Sequence, residues 1–124
     1  MKTVEEIITQ SPVFLGSWVT EADVFDSFHV NPVKQQNIHI CFAVYSGGNY
    51  EGEAFILFDQ NGKLYEVNGS HCSCYGLEDQ WDPEEVVLAE MRNRLLNGTF
   101  GICIEEGFNE ECRKFLGIEI TKED

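Results

Sequence analysis

Basic residues are scarce in this chain: eight Lys and Arg stand against 22 Asp and Glu in 124 residues, for a formal net charge of -14. A surface so depleted of cations repels phosphate backbones and anionic lipid, which argues against direct binding to nucleic acid or to a membrane. Long apolar runs are missing too, and nothing approaches the roughly 20 residues needed to span a bilayer. The opening MKTVEEIITQ sets two glutamates where an export signal needs an uncharged apolar stretch, so a cytoplasmic protein is expected. There is no Walker-type loop, no GxGxxG, no paired Cys-x-x-Cys and no His-x3-5-His. The sequence therefore supplies no catalytic residue and no cofactor motif, and the expectation is a protein that is not an enzyme. Repeats, linkers and low-complexity segments are also absent, and the length suits one domain over residues 1–124.

What is present suits an ordinary core, with 43% hydrophobic and 12% aromatic residues. Thr3 with Glu6 reads as a capping box before the apolar stripe Val4, Ile7 and Ile8, and Ser11-Pro12 ends that helix. Residues 13–19 are apolar but interrupted by Gly16, compatible with strand or loop. Thr20 opens a second short helix carrying Val24, Phe25 and Phe28, closed by Asn31-Pro32. From residue 38 the period becomes two, and Ile38, Ile40, Phe42 and Val44 predict a strand with one strongly apolar face. Residues 53–58 (EAFILF) predict a central strand covered on both faces. Asn61-Gly62 predicts a hairpin turn returning into a third strand at residues 63–68. Asp82-Pro83-Glu84-Glu85 has the chemistry of a helix start, ahead of Val87, Leu88, Met91, Leu95 and Leu96. Residues 100–104 are a candidate fourth strand, and Asn109 caps a last helix with Cys112, Phe115 and Leu116 inward. The fold expected is α+β: a three-stranded antiparallel meander with three to four helices against one sheet face.

Five cysteines cannot all pair within one chain, and without an export signal reduced thiols are the better reading. Cys41 and Cys103 lie in apolar runs and are expected to be buried. His71, Cys72 and Cys74 fall within four positions, and with His39 or Cys41 from a neighbouring strand they have the residue types of a zinc site. The spacing His-Cys-x-Cys departs from the usual Cys-x2-4-Cys. The competing account is a tight connection built from small side chains. Cysteine catalysis at Cys72 or Cys74 with His71 or His39 as base is a further alternative, but adjacent residues of an extended chain point to opposite sides. Glu78, Asp79, Asp82, Glu84, Glu85 and Glu90 form one acidic group close in sequence, and Glu105, Glu106, Glu110 and Glu111 a second. Gathered on one surface, they would imitate nucleic-acid phosphates; scattered, they are a solvated exterior. Tyr75 and Trp81 are the aromatic candidates for anchoring a contact, with core packing as the simpler role for Trp81.

The run KLYEVNGSHCSCYGLEDQWDPEE resembles a segment of small uncharacterised proteins of tailed bacteriophages and prophages, in which a strand after an NGK-type turn leads into an SHCSCYGLE–QW–PEE pattern. The likeness covers about a third of the chain, from Glu53 to about Leu96. It carries over no catalytic residues and implies a viral protein acting inside a host cell. Small acidic phage proteins without catalytic constellations are often inhibitors of host machinery, CRISPR effectors included. The leading expectation is thus a stoichiometric, anti-CRISPR-like inhibitor of a basic, nucleic-acid-binding host defence protein. Its contact residues would be Tyr75, Glu78, Asp79, Trp81, Asp82, Glu84, Glu85 and Glu90. The alternative is a small-ligand or zinc-binding module using His39, Cys41, His71, Cys72 and Cys74.

Overall fold

A computed structural model describes residues 1–47, 51–72, 76–97 and 108–118. In chain order the described elements are α1 (Val4–Ile8), β1 (Val13–Gly16), α2 (Glu21–Phe28), β2 (Ile38–Gly47), β3 (Glu51–Gln60), β4 (Lys63–Cys72), β5 (Glu84–Glu85), α3 (Leu88–Asn97) and α4 (Phe108–Leu116). A 3-10 turn at Pro32–Gln35 separates α2 from β2. The strands form one sheet in the order β1-β2-β3-β4-β5. β1 lies parallel to β2, and the other neighbours are antiparallel. The α+β class and the β2-β3-β4 meander match expectation. The sheet is larger than the expected three strands and partly parallel, because residues 13–16 and 84–85 add an edge on either side. The region expected to give another strand, residues 100–104, lies outside the described residues. No helix among the described residues is long and apolar enough to cross a membrane.

Helices cover both faces of the sheet, not one. On the first face Phe42, Val44, Phe55, Leu57 and Leu64 meet Ile7 of α1, Met91 and Leu95 of α3, and Cys112, Phe115 and Leu116 of α4. On the second, Ala43, Ala54, Ile56, Phe58 and Val67 meet Val24, Phe25 and Phe28 of α2, together with Trp18 and Leu77. β3 is the central strand, and its residues 54–58 are buried without exception, as the unbroken apolar run predicts. Phe28, Phe42, Phe55 and Phe58 are fully enclosed, each contributing up to about 3 kcal/mol of burial.

The single apolar face predicted for β2 is corrected by a bulge. Ile40 pairs with Phe58 and Phe42 with Leu57, leaving Cys41 as the extra residue between them. A one-residue insertion inverts the side-chain alternation beyond it. Ile38 and Ile40 consequently face α2, whereas Phe42 and Val44 face the three-helix side.

The helix start expected at Asp82 is also corrected. Glu84 and Glu85 pair with Glu66 and Tyr65 of β4, and the Val86 N–H donates to the Leu64 carbonyl at 2.9 Å. These bonds satisfy the outer edge of β4, and the helix begins only at Leu88. Farther along the same edge the Gln80 side chain substitutes for a strand. Its Oε1 accepts from the Ser70 N–H at 2.9 Å, and its Nε2 donates to the Ser70 and Gly76 carbonyls at 2.6 and 2.8 Å. Asn109 lies inside α4 and is not its cap; its Nδ2 donates to the Leu95 carbonyl at 3.1 Å and ties α4 to α3.

Local signals elsewhere hold. The expected capping box of Thr3 with Glu6 forms, and the helix that Thr20 opens proves to start with a second one, Thr20 with Asp23. Asn61 and Gly62 take φ of 56° and 87° in the β3-β4 turn, the left-handed values that such a hairpin needs. One buried charge was not legible: Glu66, 6% exposed on β4, accepts from Arg94 of α3 at 2.6 Å and from Asn68 Nδ2 at 3.0 Å. Arg94→Ala leaves that carboxylate without its cation, and urea denaturation is expected to show a loss of about 2 kcal/mol.

Asp23 offers a second check. The backbone N–H groups of Val19 and Thr20 donate to its carboxylate and hold it below its ordinary pKa of 3.8. A depressed acid stabilises the fold above its unfolded pKa and ceases to do so as pH falls through the folded one. Asp23→Ala should therefore lower the melting temperature at pH 7, with the gap to wild type closing as pH drops below about 4.

Candidate functional site

The segment from Gly76 to Met91 contains six acids (Glu78, Asp79, Asp82, Glu84, Glu85 and Glu90) and no Lys, Arg or His. The fold makes it the rim of the sheet. Leu77 is buried in the second-face cluster, Gln80 clamps Ser70, and β5 pairs with β4, so the segment is held at successive points along one edge. All six carboxylates are exposed. Glu78 is held below its ordinary range by its own backbone N–H and that of Gly76, which keeps it ionised.

These acids surround the edge and do not form one flat face. Cross-strand partners share a side of a sheet. Glu84, opposite Glu66, belongs to the three-helix side, and Glu85, opposite Tyr65, to the α2 side. Glu90 is on α3, over the first face, whereas Glu78 and Asp79 follow Leu77 on the second. In the second acidic group, Glu110 and Glu111 are exposed on α4, with Glu111 3.8 Å from Lys114. Glu105 and Glu106 lie outside the described residues.

Trp81 is half-buried. It stacks on Phe58 with centroids 5.4 Å apart and meets Phe28 and Phe25 edge-on at 5.3 and 5.8 Å. It thus fastens the acidic segment to the α2 side of the sheet. Tyr75, its expected companion, lies outside the described residues.

Of the residues considered for metal, His39 and His71 are not brought together. His39 and His71 sit at opposite ends of the sheet, since His39 pairs with Asp59, which pairs with Leu64, seven positions along β4 from His71. At about 3.3 Å per residue that separation is on the order of 20 Å. Cys41 is the buried bulge residue, and its Sγ donates to the His39 carbonyl at 3.7 Å. Among the described residues no group of three His, Cys, Asp or Glu converges as a metal site would. The backbone of Cys72 ends β4, and Cys74 lies outside the described residues.

His71 has a different neighbour: its Nδ1 is 2.7 Å from the Tyr45 hydroxyl. A Cβ on Gly52 would come within 2.6 Å of His71 Cε1, so glycine makes room for the ring. Burial, and after it the Glu78 carboxylate, raise the Tyr45 hydroxyl above its ordinary pKa, so Tyr45 is no activated nucleophile. Sequence reasoning missed this pair, because His71 and Tyr45 meet only through the pairing of three strands.

No protein-family profile, curated protein or solved structure matches the chain.

Cys41 and Cys112 are buried free thiols, and desolvation pushes both up to about 12. Thiolate reactivity is suppressed at such values. Maleimide labelling of native protein at about pH 8, mapped by peptide mass spectrometry, should spare Cys41 and Cys112 and modify them only after denaturation. Rapid native labelling of either would contradict the packing described.

Proposed function

We propose that the chain is a stoichiometric protein inhibitor that grips a basic, nucleic-acid-binding protein with the acidic rim of its sheet. The carrying observation is the segment from Gly76 to Met91, which has six exposed carboxylates and no base of its own, held at the β4-β5 edge with Glu90 following on α3. An anchored ribbon loses less conformational entropy on binding than a mobile acidic tail. Like-signed charges spaced along it complement a Lys/Arg-lined groove and speed encounter with it. Because the carboxylates project to both sides of the edge, the fitting partner surface is a groove that receives the edge, and a flat patch would meet only half of them.

The likeness to phage and prophage proteins supports the finer reading: an anti-CRISPR-like protein acting in the host cytoplasm on a defence effector. In that reading the inhibitor occupies the nucleic-acid groove without chemistry. Glu78, Asp79, Asp82, Glu84, Glu85 and Glu90 form the contact, and Trp81 holds the ribbon in place.

The test is capture of partners on the immobilised protein from a bacterial lysate containing defence systems, eluted in salt steps. The expected product is a basic nucleic-acid-binding protein released by moderate salt, since exposed charge pairs weaken as the Debye length shrinks. With the captured partner, Glu84→Lys combined with Glu85→Lys should reduce affinity by about tenfold or more. Glu110→Lys on α4 should leave it unchanged. Equal losses from both substitutions would show that net charge, and not this edge, governs the contact.

A further inference from the structure

Behind the acidic rim, on the α2 side of the sheet, two clefts of about 270 and 300 Å³ share Trp81 and Lys34 as common walls. Their combined size falls in the range of small-molecule sites. We infer that they form one binding site for a planar aromatic anion, whose ring lies in the larger cleft and whose acidic group meets Lys34.

The chemistry of the walls sets this assignment. In the larger cleft Ile38, Phe58, Trp81 and Pro83 supply apolar and aromatic surface, and neither Asp nor Glu lines it. Lys34 stands at its rim on the Pro32–Gln35 turn and has no ion-pair partner among the described residues. Gln60 has its Nε2 committed to the Gln36 carbonyl at 3.0 Å, leaving Oε1 to accept from a ligand. A flat ring with one anionic group satisfies this combination, whereas a cation meets Lys34 and an aliphatic chain leaves Lys34 unpaired. The smaller cleft adds polarity at the far end. Asp79 presents a carboxylate there, and Asn31, its Oδ1 held by the Val33 N–H at 2.8 Å, has its amide donors to offer. A ligand long enough to cross beneath Lys34 would place a hydrogen-bond donor against Asp79.

An anion site is compatible with a chain of net charge -14. Carboxylates beyond a Debye length of about 8 Å at physiological salt are screened; Asp79, and Asp82 between the lining residues Trp81 and Pro83, oppose the anion, and Lys34 offsets them by direct contact. Aromatic carboxylates and nucleoside monophosphates share the required features. The site uses none of the rim carboxylates other than Asp79 and stands independently of the inhibitor reading.

Indole N–H signals in 15N-1H correlation spectra test it, because Trp18 is 3% exposed and serves as the internal control for Trp81. Titration with 2-naphthoate or AMP should move the Trp81 signal saturably and leave that of Trp18 in place. Lys34→Ala, a change at an exposed position, should weaken binding about fivefold, as should replacing 2-naphthoate by neutral 2-naphthamide. Applied together, the two changes should cost little more than either alone. Tighter binding of AMP identifies a nucleotide as the natural class, and tighter binding of 2-naphthoate an aromatic carboxylate. A Trp81 signal that fails to saturate with either compound, or an affinity for both that is unaltered in Lys34→Ala, would overturn the proposal.

Discussion

A central strand that is apolar on both faces has to be covered twice, and the rest of this structure follows from that constraint. In β3, Phe55 and Leu57 point one way and Ala54, Ile56 and Phe58 the other. Neither set has a place in water, so the helices divide between the faces. α1, α3 and α4 take one side, while α2 takes the other with help from Trp18, Leu77 and Trp81. The second face has only one helix among the described residues, which is why aromatic side chains from loops complete it. Trp81 on Phe58 and Trp18 on Phe28 do work that a second helix would otherwise do. The opening that remains beside Trp81 is a direct outcome of covering a sheet face with one helix and a loop.

The second constraint is the outer edge of β4. An unpaired strand edge offers its N–H and C=O groups to any other chain. Here the acidic segment supplies the missing partners, through the backbone at Glu84–Val86 and through the Gln80 amide at Ser70. The segment thereby has a structural role that accounts for its extended path, and the same path exposes its carboxylates. The charges also guard the edge, since another acidic chain of the same kind is repelled from it. Structure and proposed function therefore draw on the same residues without competing: the backbone closes the sheet, and the side chains face outward.

Legibility divides between signals that are local and signals that depend on pairing. The capping box at Thr3, the helix start at Thr20 and the turn at Asn61-Gly62 formed as expected, because every group involved lies within four residues. EAFILF was legible as a doubly covered strand because its composition leaves no polar side. The alternation at residues 38–44 misled, since one extra residue at Cys41 exchanges the faces and nothing in the local composition marks a bulge. Asp82-Pro83-Glu84-Glu85 misled for a different reason. Its capping chemistry favours a helix by on the order of 1 kcal/mol, which the ladder bonds to β4 and the stacking of Trp81 on Phe58 outweigh. Nothing local marks Glu66 as buried; Arg94 arriving from α3, with Asn68 Nδ2 as a second donor, explains how a carboxylate tolerates that depth. The acidic group was legible as composition. That it surrounds an edge follows from β5, which the sequence reading had made the first turn of a helix.

Trp81 links the two proposals physically. Its ring fixes the acidic segment to the sheet through Phe58, Phe28 and Phe25, and the same ring walls both clefts. A ligand against Trp81 would stabilise the ribbon bearing Asp79, Asp82, Glu84 and Glu85 by tightening one of its anchor points. A partner pulling on those carboxylates would act on the wall of the cleft. Energetic coupling between the two sites has routes through Trp81 and its contact with Phe58 and through Asp79 and Pro83, which belong to the acidic segment and line the clefts, and by linkage it has to be reciprocal. The rim and the cleft are therefore two surfaces of one packing unit, set by the need to cover the second face of β3.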